Sequence, residues 1–173
     1  MQRYDTTADI YEERYAQEQK MKYQKALQSI NIENAFVLDV GCGSGLFFGE
    51  VAMRASLIIG VDISRKLLLL AKEQTKALSN VFVVQADADH LPFRDSFFGA
   101  VFAFTVLQNL PKPTQTLDEL KRVAKNNGWL VVTGLKKAFP LEVFMDVLED
   151  SGLRLVSFVD EENVNCYVAV LAA

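Results

Sequence analysis

Val37-Leu38-Asp39-Val40-Gly41-Cys42-Gly43-Ser44-Gly45 decides how the rest of the chain is read. Apolar residues and one acid suited to a buried strand run straight into three alternating glycines, and Leu46, Phe47, Phe48, Val51 and Ala52 then open a helical pattern. A strand, a glycine turn and a helix start, in that order, form a pocket for a charged ligand. Glycine lets the backbone bend tightly and come close to the ligand. The first free amides of the helix favour an anionic group, while Asp39 supplies an acceptor for a ligand that also carries an ammonium. The dinucleotide fingerprint G-x-G-x-x-G does not fit, because its third glycine would fall on Leu46. The pattern is D-x-G-x-G-x-G, and standing alone it also fits a plain tight turn.

Working outward, Ala35–Val40 reads as the first strand and Gly45 to about Arg54 as the first helix. Ser56–Val61 is a second apolar strand ending in Asp62, about twenty residues past the glycine loop, where an acid can receive both hydroxyls of a ribose. The competing role for Asp62 is to cap the helix that follows, for which Ser64 is also placed. That helix, about 65–78, contains Leu67-Leu68-Leu69-Leu70; steps of about 100° cannot turn four consecutive leucines onto one sheet. Cover by the N-terminal helix is the favoured expectation, with a dimer contact as the alternative. Val81–Ala86 is strand three, leading into Asp87-Ala88-Asp89-His90-Leu91-Pro92-Phe93. Strand four lies near Ala100–Phe104, and its carboxyl end, Thr105-Val106-Leu107-Gln108-Asn109-Leu110, falls beside the glycine loop, where open α/β sheets bind ligands. Thr114 is placed to cap a helix through about Lys125, Asn126-Asn127-Gly128 reads as a turn, and Trp129–Thr133 as strand five. Phe139–Glu149 is a helix stopped by Gly152. Leu153–Val159 and Asn165–Leu171 are joined by so short a link that they must form an antiparallel hairpin.

At 173 residues one domain is expected, residues 31–173, preceded by a helical leader over 1–30. A formal charge of −4 argues against unaided nucleic-acid binding. No apolar run is long enough to span a bilayer. Cys42 and Cys166 lack metal spacing and read as free thiols in a reducing cytoplasm.

Taken together, Asp39 to Gly45, Gly60-Val61-Asp62-Ile63-Ser64, Asp87-Ala88 with Leu91-Pro92-Phe93, and the terminal hairpin resemble the class I S-adenosylmethionine-dependent methyltransferases, of the small methyltransferase-domain type, over nearly the whole chain. The resemblance implies an α/β three-layer sandwich with a seven-stranded, mostly parallel sheet in the order 3-2-1-4-5-7-6 and an antiparallel last strand. It implies S-adenosylmethionine as cofactor, leaving S-adenosylhomocysteine as product, with Asp39, Gly41, Cys42, Gly43, Gly45, Asp62, Ile63, Asp87, Ala88 and Thr105 as its contacts. Asp87 would accept from the adenine amino group and the Ala88 amide would meet a ring nitrogen. A leader beginning with a Tyr-Asp pair such as Tyr4-Asp5 would fold over the cofactor; an amphipathic helix that only covers the sheet is the equal alternative. Gln108-Asn109 replaces the histidine pair of some relatives, and no Asn-Pro-Pro-Tyr motif follows strand four, which disfavours acceptors such as nucleic-acid bases or glutamine.

A sulfonium methyl is already activated, so the protein must chiefly position an acceptor and exclude water, with a base needed only for a tightly held proton. No catalytic residue is therefore assigned. Tyr4, Tyr11, Gln108 and Asn109, with Thr105, are the candidates near the acceptor. His90 reads as a surface histidine, Cys42 as a small residue filling a tight place, Lys136 and Lys137 as a solvated loop, and Lys121, Arg122 and Lys125 as complements to a helix dipole. A small-molecule acceptor is expected. A protein or RNA acceptor served by a partner subunit, and a non-catalytic S-adenosylmethionine sensor, are the alternatives.

Overall fold

Apolar strands alternating with amphipathic helices are buried only as a sheet covered on both faces. A computed structural model of the chain, describing residues 16–173, has that architecture. Helix α1 covers residues 16–27 of the described chain. There follow β1 (Phe36–Val40), α2 (Phe48–Val51), β2 (Leu57–Asp62), α3 (Arg65–Gln74), β3 (Val81–Gln85), β4 (Phe98–Ala103), α4 (Pro113–Val123), β5 (Ala124–Leu135), α5 (Leu141–Asp150), β6 (Arg154–Val159) and β7 (Cys166–Ala172). The sheet order is β3-β2-β1-β4-β5-β7-β6. β1 to β5 are parallel, and β7 is antiparallel to both β5 and β6. The order reverses at β1, which lies between β2 and β4, and a crevice opens there at the carboxyl ends of the strands.

Each face has its own core. Leu117, Leu120 and Val123 of α4 and Phe144 and Leu148 of α5 fill one side. Tyr23 and Ala26 of α1, Phe48 and Val51 of α2, and Leu68 and Ala71 of α3 fill the other. Tyr23 anchors α1 by ring contacts at 4.8 Å to Phe47 and 4.7 Å to Phe104.

Four local expectations are corrected. The helix after the glycine loop is one turn long, Phe48–Val51, not a run from Gly45 to Arg54. Gly45 is in the left-handed region at φ +85°, which an α-helix cannot include. Thr114 does not cap α4; Pro113 occupies the first turn, where its missing N–H costs nothing. Asn126-Asn127-Gly128 lies within β5 as a bulge, since Phe98 faces Ala124 while Ala100 faces Trp129. Asn127 takes φ +63° and donates its amide to the Ala173 carbonyl. Finally, α3 ends at Gln74, and of its four leucines only Leu68 is buried. Leu69 and Leu70 are 57% and 47% exposed, so no described residue supplies the expected cover.

Phe48 explains two glycines. A Cβ on Gly60 would lie 2.3 Å from its Cζ, and one on Gly45 would lie 2.7 Å from its Cδ2. Gly60→Ala is expected to cost about 1–3 kcal/mol, because a fully buried ring must leave its rotamer. A denaturant melt unchanged within about 0.5 kcal/mol would show that the ring has room to move.

Candidate functional site

Two adjoining cavities open at the switch point, of about 380 Å³ and 200 Å³, and Gly41 lines both. The larger is walled by the tips of β1, β2 and β3 and the start of the segment after β4. Of the residues singled out in the sequence, Gly41, Asp62, Ile63, Asp87, Ala88, Thr105 and Asn109 line it. The smaller holds Asp39, Gly41, Cys42 and Gly43. Gly45 and Gln108 line neither cavity, and the buried Oε1 of Gln108 has no partner among the described residues. Tyr4 and Tyr11 lie outside the described residues.

Gly41, at φ +70°, cannot carry a side chain: a Cβ would meet Val106 Cγ2 at 2.4 Å. Several loop amides are already bonded within the protein, Gly45 N to the Cys42 carbonyl at 2.9 Å among them. Gly41 N and Cys42 N donate to the Val61 carbonyl at 2.7 and 3.0 Å, and Gly43 N donates to Asp62 Oδ2 at 2.9 Å. The helix that follows, α2, is only one turn long, and Phe48 N donates to the Gly45 carbonyl at 3.1 Å. The described residues lining both cavities include three carboxylates and neither lysine nor arginine. Such a cleft repels phosphate and suits a ligand offering an ammonium, hydroxyls and an amino group.

The three acids differ in setting. Asp39 is 3% exposed, and burial, with the nearby charge of Asp62, pushes its carboxyl well above the usual range. Asp62 also accepts from Ser64 N at 2.8 Å, so it braces both the glycine loop and the start of α3, where Ser64 Oγ caps Leu67 N. Asp87 Oδ1 accepts from Asp89 N at 3.0 Å in an exposed turn. Cys42 is no nucleophile: burial, then Asp39 and Asp62, push its thiol far above its ordinary value.

Several contributors were not identified from sequence. Gln19 and Tyr23 of α1 and Phe104 line the smaller cavity. Beside them Lys22, 1% exposed, pairs with Glu18 at 3.0 Å and donates to Thr105 Oγ1 at 3.4 Å. Thr105 is itself strained, at φ +61°, and its amide donates to the buried Thr133 Oγ1 at 2.7 Å. A lysine among polar residues gives no sequence signal of burial; only the i,i+4 spacing of Glu18 and Lys22 hinted at a pair. Burial pushes the Glu18 carboxyl up, but the bonds from Asn165 and Lys22 outweigh it and hold it below its ordinary value. Removing the acid leaves the more buried charge without its counter-ion and with only the long bond to Thr105 Oγ1. Glu18→Gln is therefore expected to destabilise by about 3–5 kcal/mol, Lys22→Met by less, and the double variant by less than Glu18→Gln alone. Equal losses in thermal melts of the two single variants would contradict this order. Lys136 is also committed, to Asp160 Oδ1 and the Glu161 carbonyl, both at 2.7 Å, rather than free in a solvated loop.

Residues 38–132 match the family described as "Methyltransferase domain". The chain belongs to this family. It is 31% identical over 144 residues to a malonyl-[acyl-carrier protein] O-methyltransferase of a Marinomonas species, covering 82% of this chain and 53% of that protein. It is 33% identical over 112 residues to a demethylmenaquinone methyltransferase of Staphylococcus saprophyticus, covering 62% and 48%. The chain thus spans about half the length of these curated relatives. Among solved structures, an S-adenosylmethionine-dependent methyltransferase from Aquifex aeolicus superposes with a TM-score of 0.75 at 25% identity, covering 87% of this chain and 88% of that one. The cofactor of this methyltransferase domain is S-adenosylmethionine. The acidic lining fits its donor groups: an ammonium, ribose hydroxyls and an adenine amino group would meet carboxylates as acceptors.

Proposed function

We propose that this domain transfers the methyl group of S-adenosylmethionine to a small-molecule acceptor. The observation that carries this reading is the joining of the two cavities at Gly41, with Asp39 in one and Asp62 and Asp87 in the other. Asp39 would hold the ammonium, Asp62 the ribose hydroxyls, and Asp87 with the Ala88 amide the adenine edge. When bound, the cofactor supplies a methyl on a sulfonium, open to in-line displacement. The chain's own part is to orient and to exclude water. Apolar Val40, Val61, Ile63, Val106 and Leu110 line the larger cavity. Thr105 and Asn109 are polar where an acceptor would enter, and Asn109 Nδ2 is tied to the Thr105 carbonyl at 3.0 Å. The small-molecule acceptor draws support from the relative named for demethylmenaquinone. Cys42 and Cys166, both free and buried, accord with a reducing cytoplasm.

Calorimetry with S-adenosylmethionine and S-adenosylhomocysteine tests the cofactor assignment. Labelled S-adenosylmethionine incubated with small-molecule and macromolecular extract fractions tests the acceptor class. Label confined to macromolecules would overturn the small-molecule reading; label in neither fraction, with tight cofactor binding, would favour a sensor. One observation favours a partner subunit as second reading. Ile63, Leu69, Leu70 and Phe82 are all about half exposed or more, around α3 and the open edge strand β3. Light scattering at rising concentration would show whether that face joins two copies.

A further inference from the structure

The loop that carries Asp87 and Ala88 into the larger cavity is fastened along one face of α4 by three residues spaced three apart. Thr116, fully buried, donates through Oγ1 to Asp89 Oδ1. Glu119 Oε1 accepts from Leu91 N at 2.7 Å. Arg122 forks over the loop: Nη1 donates to the Phe93 carbonyl at 2.8 Å and to Asp95 Oδ1 at 2.6 Å, and Nη2 to the Leu91 carbonyl at 3.0 Å. Its Nε and Nη2 also engage both oxygens of Glu119, at 2.8 and 2.7 Å. The tie reaches the acid in the cavity through Asp89, whose amide donates to Asp87 Oδ1, and through His90, whose amide donates to the Asp87 carbonyl at 3.1 Å. Beyond the loop, Ser96 N and Phe97 N donate to the Arg122 and Val123 carbonyls. The hydrogen bond of Arg122 chiefly holds Glu119 below its ordinary carboxylate value, so the pair stays ionised. The helix-dipole role expected of Arg122 does not account for a planar fork on four different residues.

We propose that the Thr116–Glu119–Arg122 stripe of α4 is the positioning element for base selection: it fixes the 87–95 loop so that the cleft accepts a 6-aminopurine and rejects a 6-oxopurine. This rests on the adenine assignment made above for Asp87 and Ala88. Exchange of the amino group for a carbonyl inverts both contacts. The Asp87 carboxylate then faces an acceptor, and the Ala88 amide faces a ring N–H, but only if the loop is held at the right distance. A loosened loop can turn away from the repulsion, so discrimination falls even where the fold survives.

The test is calorimetry with S-adenosylhomocysteine and S-inosylhomocysteine, run with melting curves, on wild type, Arg122→Met, Arg122→Lys, Thr116→Val and Lys121→Met. Wild type is expected to prefer the adenine compound by about tenfold to a hundredfold. Arg122→Met and the near-isosteric Thr116→Val should bring the preference to within about threefold, and Arg122→Lys, which cannot fork, should not restore it. Lys121, on the same helix but bonded to the Ser151 carbonyl at 2.9 Å, is the control: Lys121→Met should shift the melting temperature and leave the preference intact. Folded Arg122→Met and Thr116→Val proteins that keep the wild-type preference would overturn this inference alone. A wild type without any preference would remove the adenine assignment, and the inference with it.

Discussion

Asparagine in place of Asp39 is expected to raise the melting temperature of the ligand-free protein and to lower its affinity for S-adenosylmethionine by about a hundredfold or more. The carboxyl sits on β1 between Gly60 of β2 and Phe102 of β4, almost wholly out of water. Burial and Asp62 raise its pKa in the folded state, so the folded protein holds this proton after the unfolded chain has released it. Stability falls as pH rises from the ordinary carboxylate value up through the raised one, and the full penalty persists above it. An amide of the same shape carries no such penalty. A cofactor ammonium needs the anion, so affinity should rise with pH across the same window, and binding below its upper end should release a proton. Melts of both proteins across about pH 5 to 8 test the first part. Calorimetry in buffers of different ionisation enthalpy tests the second. A stability gap between the variants that does not widen with pH, or undiminished binding by Asp39→Asn, would contradict the role given to this acid.

Asp62→Ala is expected to weaken cofactor binding by roughly two to three orders of magnitude, since two charge-assisted bonds to ribose hydroxyls are lost together. The structure adds a complication, because the same carboxylate holds Gly43 N and Ser64 N. Loss of affinity alone would not separate direct contact from a loosened loop. A double-mutant cycle does: a cofactor analogue lacking both ribose hydroxyls should bind wild type much more weakly than the parent compound, but should bind Asp62→Ala almost as well as the parent. Equal losses in the two proteins would reassign Asp62 to bracing the loop. Both experiments use the ligand-free protein and need no knowledge of the acceptor.

Much of this architecture was legible in the residues. Apolar runs such as Val37–Val40 and Leu57–Val61 belong to strands buried on both faces, and glycine spacing with acids at strand ends told this cleft from a dinucleotide site. Such features are local, and their chemistry depends on residue type and spacing alone. The order of the strands came from resemblance, and the sheet has that order. Less legible were features whose meaning lies in what lies opposite. Gly45 reads as a ligand-binding glycine, yet it makes room for the ring of Phe48. Arg122 reads as a complement to a helix dipole, yet it grips a loop some thirty residues earlier in the chain. Lys22 shows no sign of burial in the sequence, yet it is sealed against Glu18 and Thr105.

The chain's own order of residues determined the strands, the glycine turn and the three acids at or near the carboxyl ends of the first three strands, because a strand's burial and a turn's backbone angles are written within a few neighbours. Only the folded molecule decided which amides were already spent, which charges were buried and which helix holds the 87–95 loop. Those outcomes depend on groups far apart in sequence meeting at hydrogen-bond distance, and no periodicity along the chain encodes such a meeting.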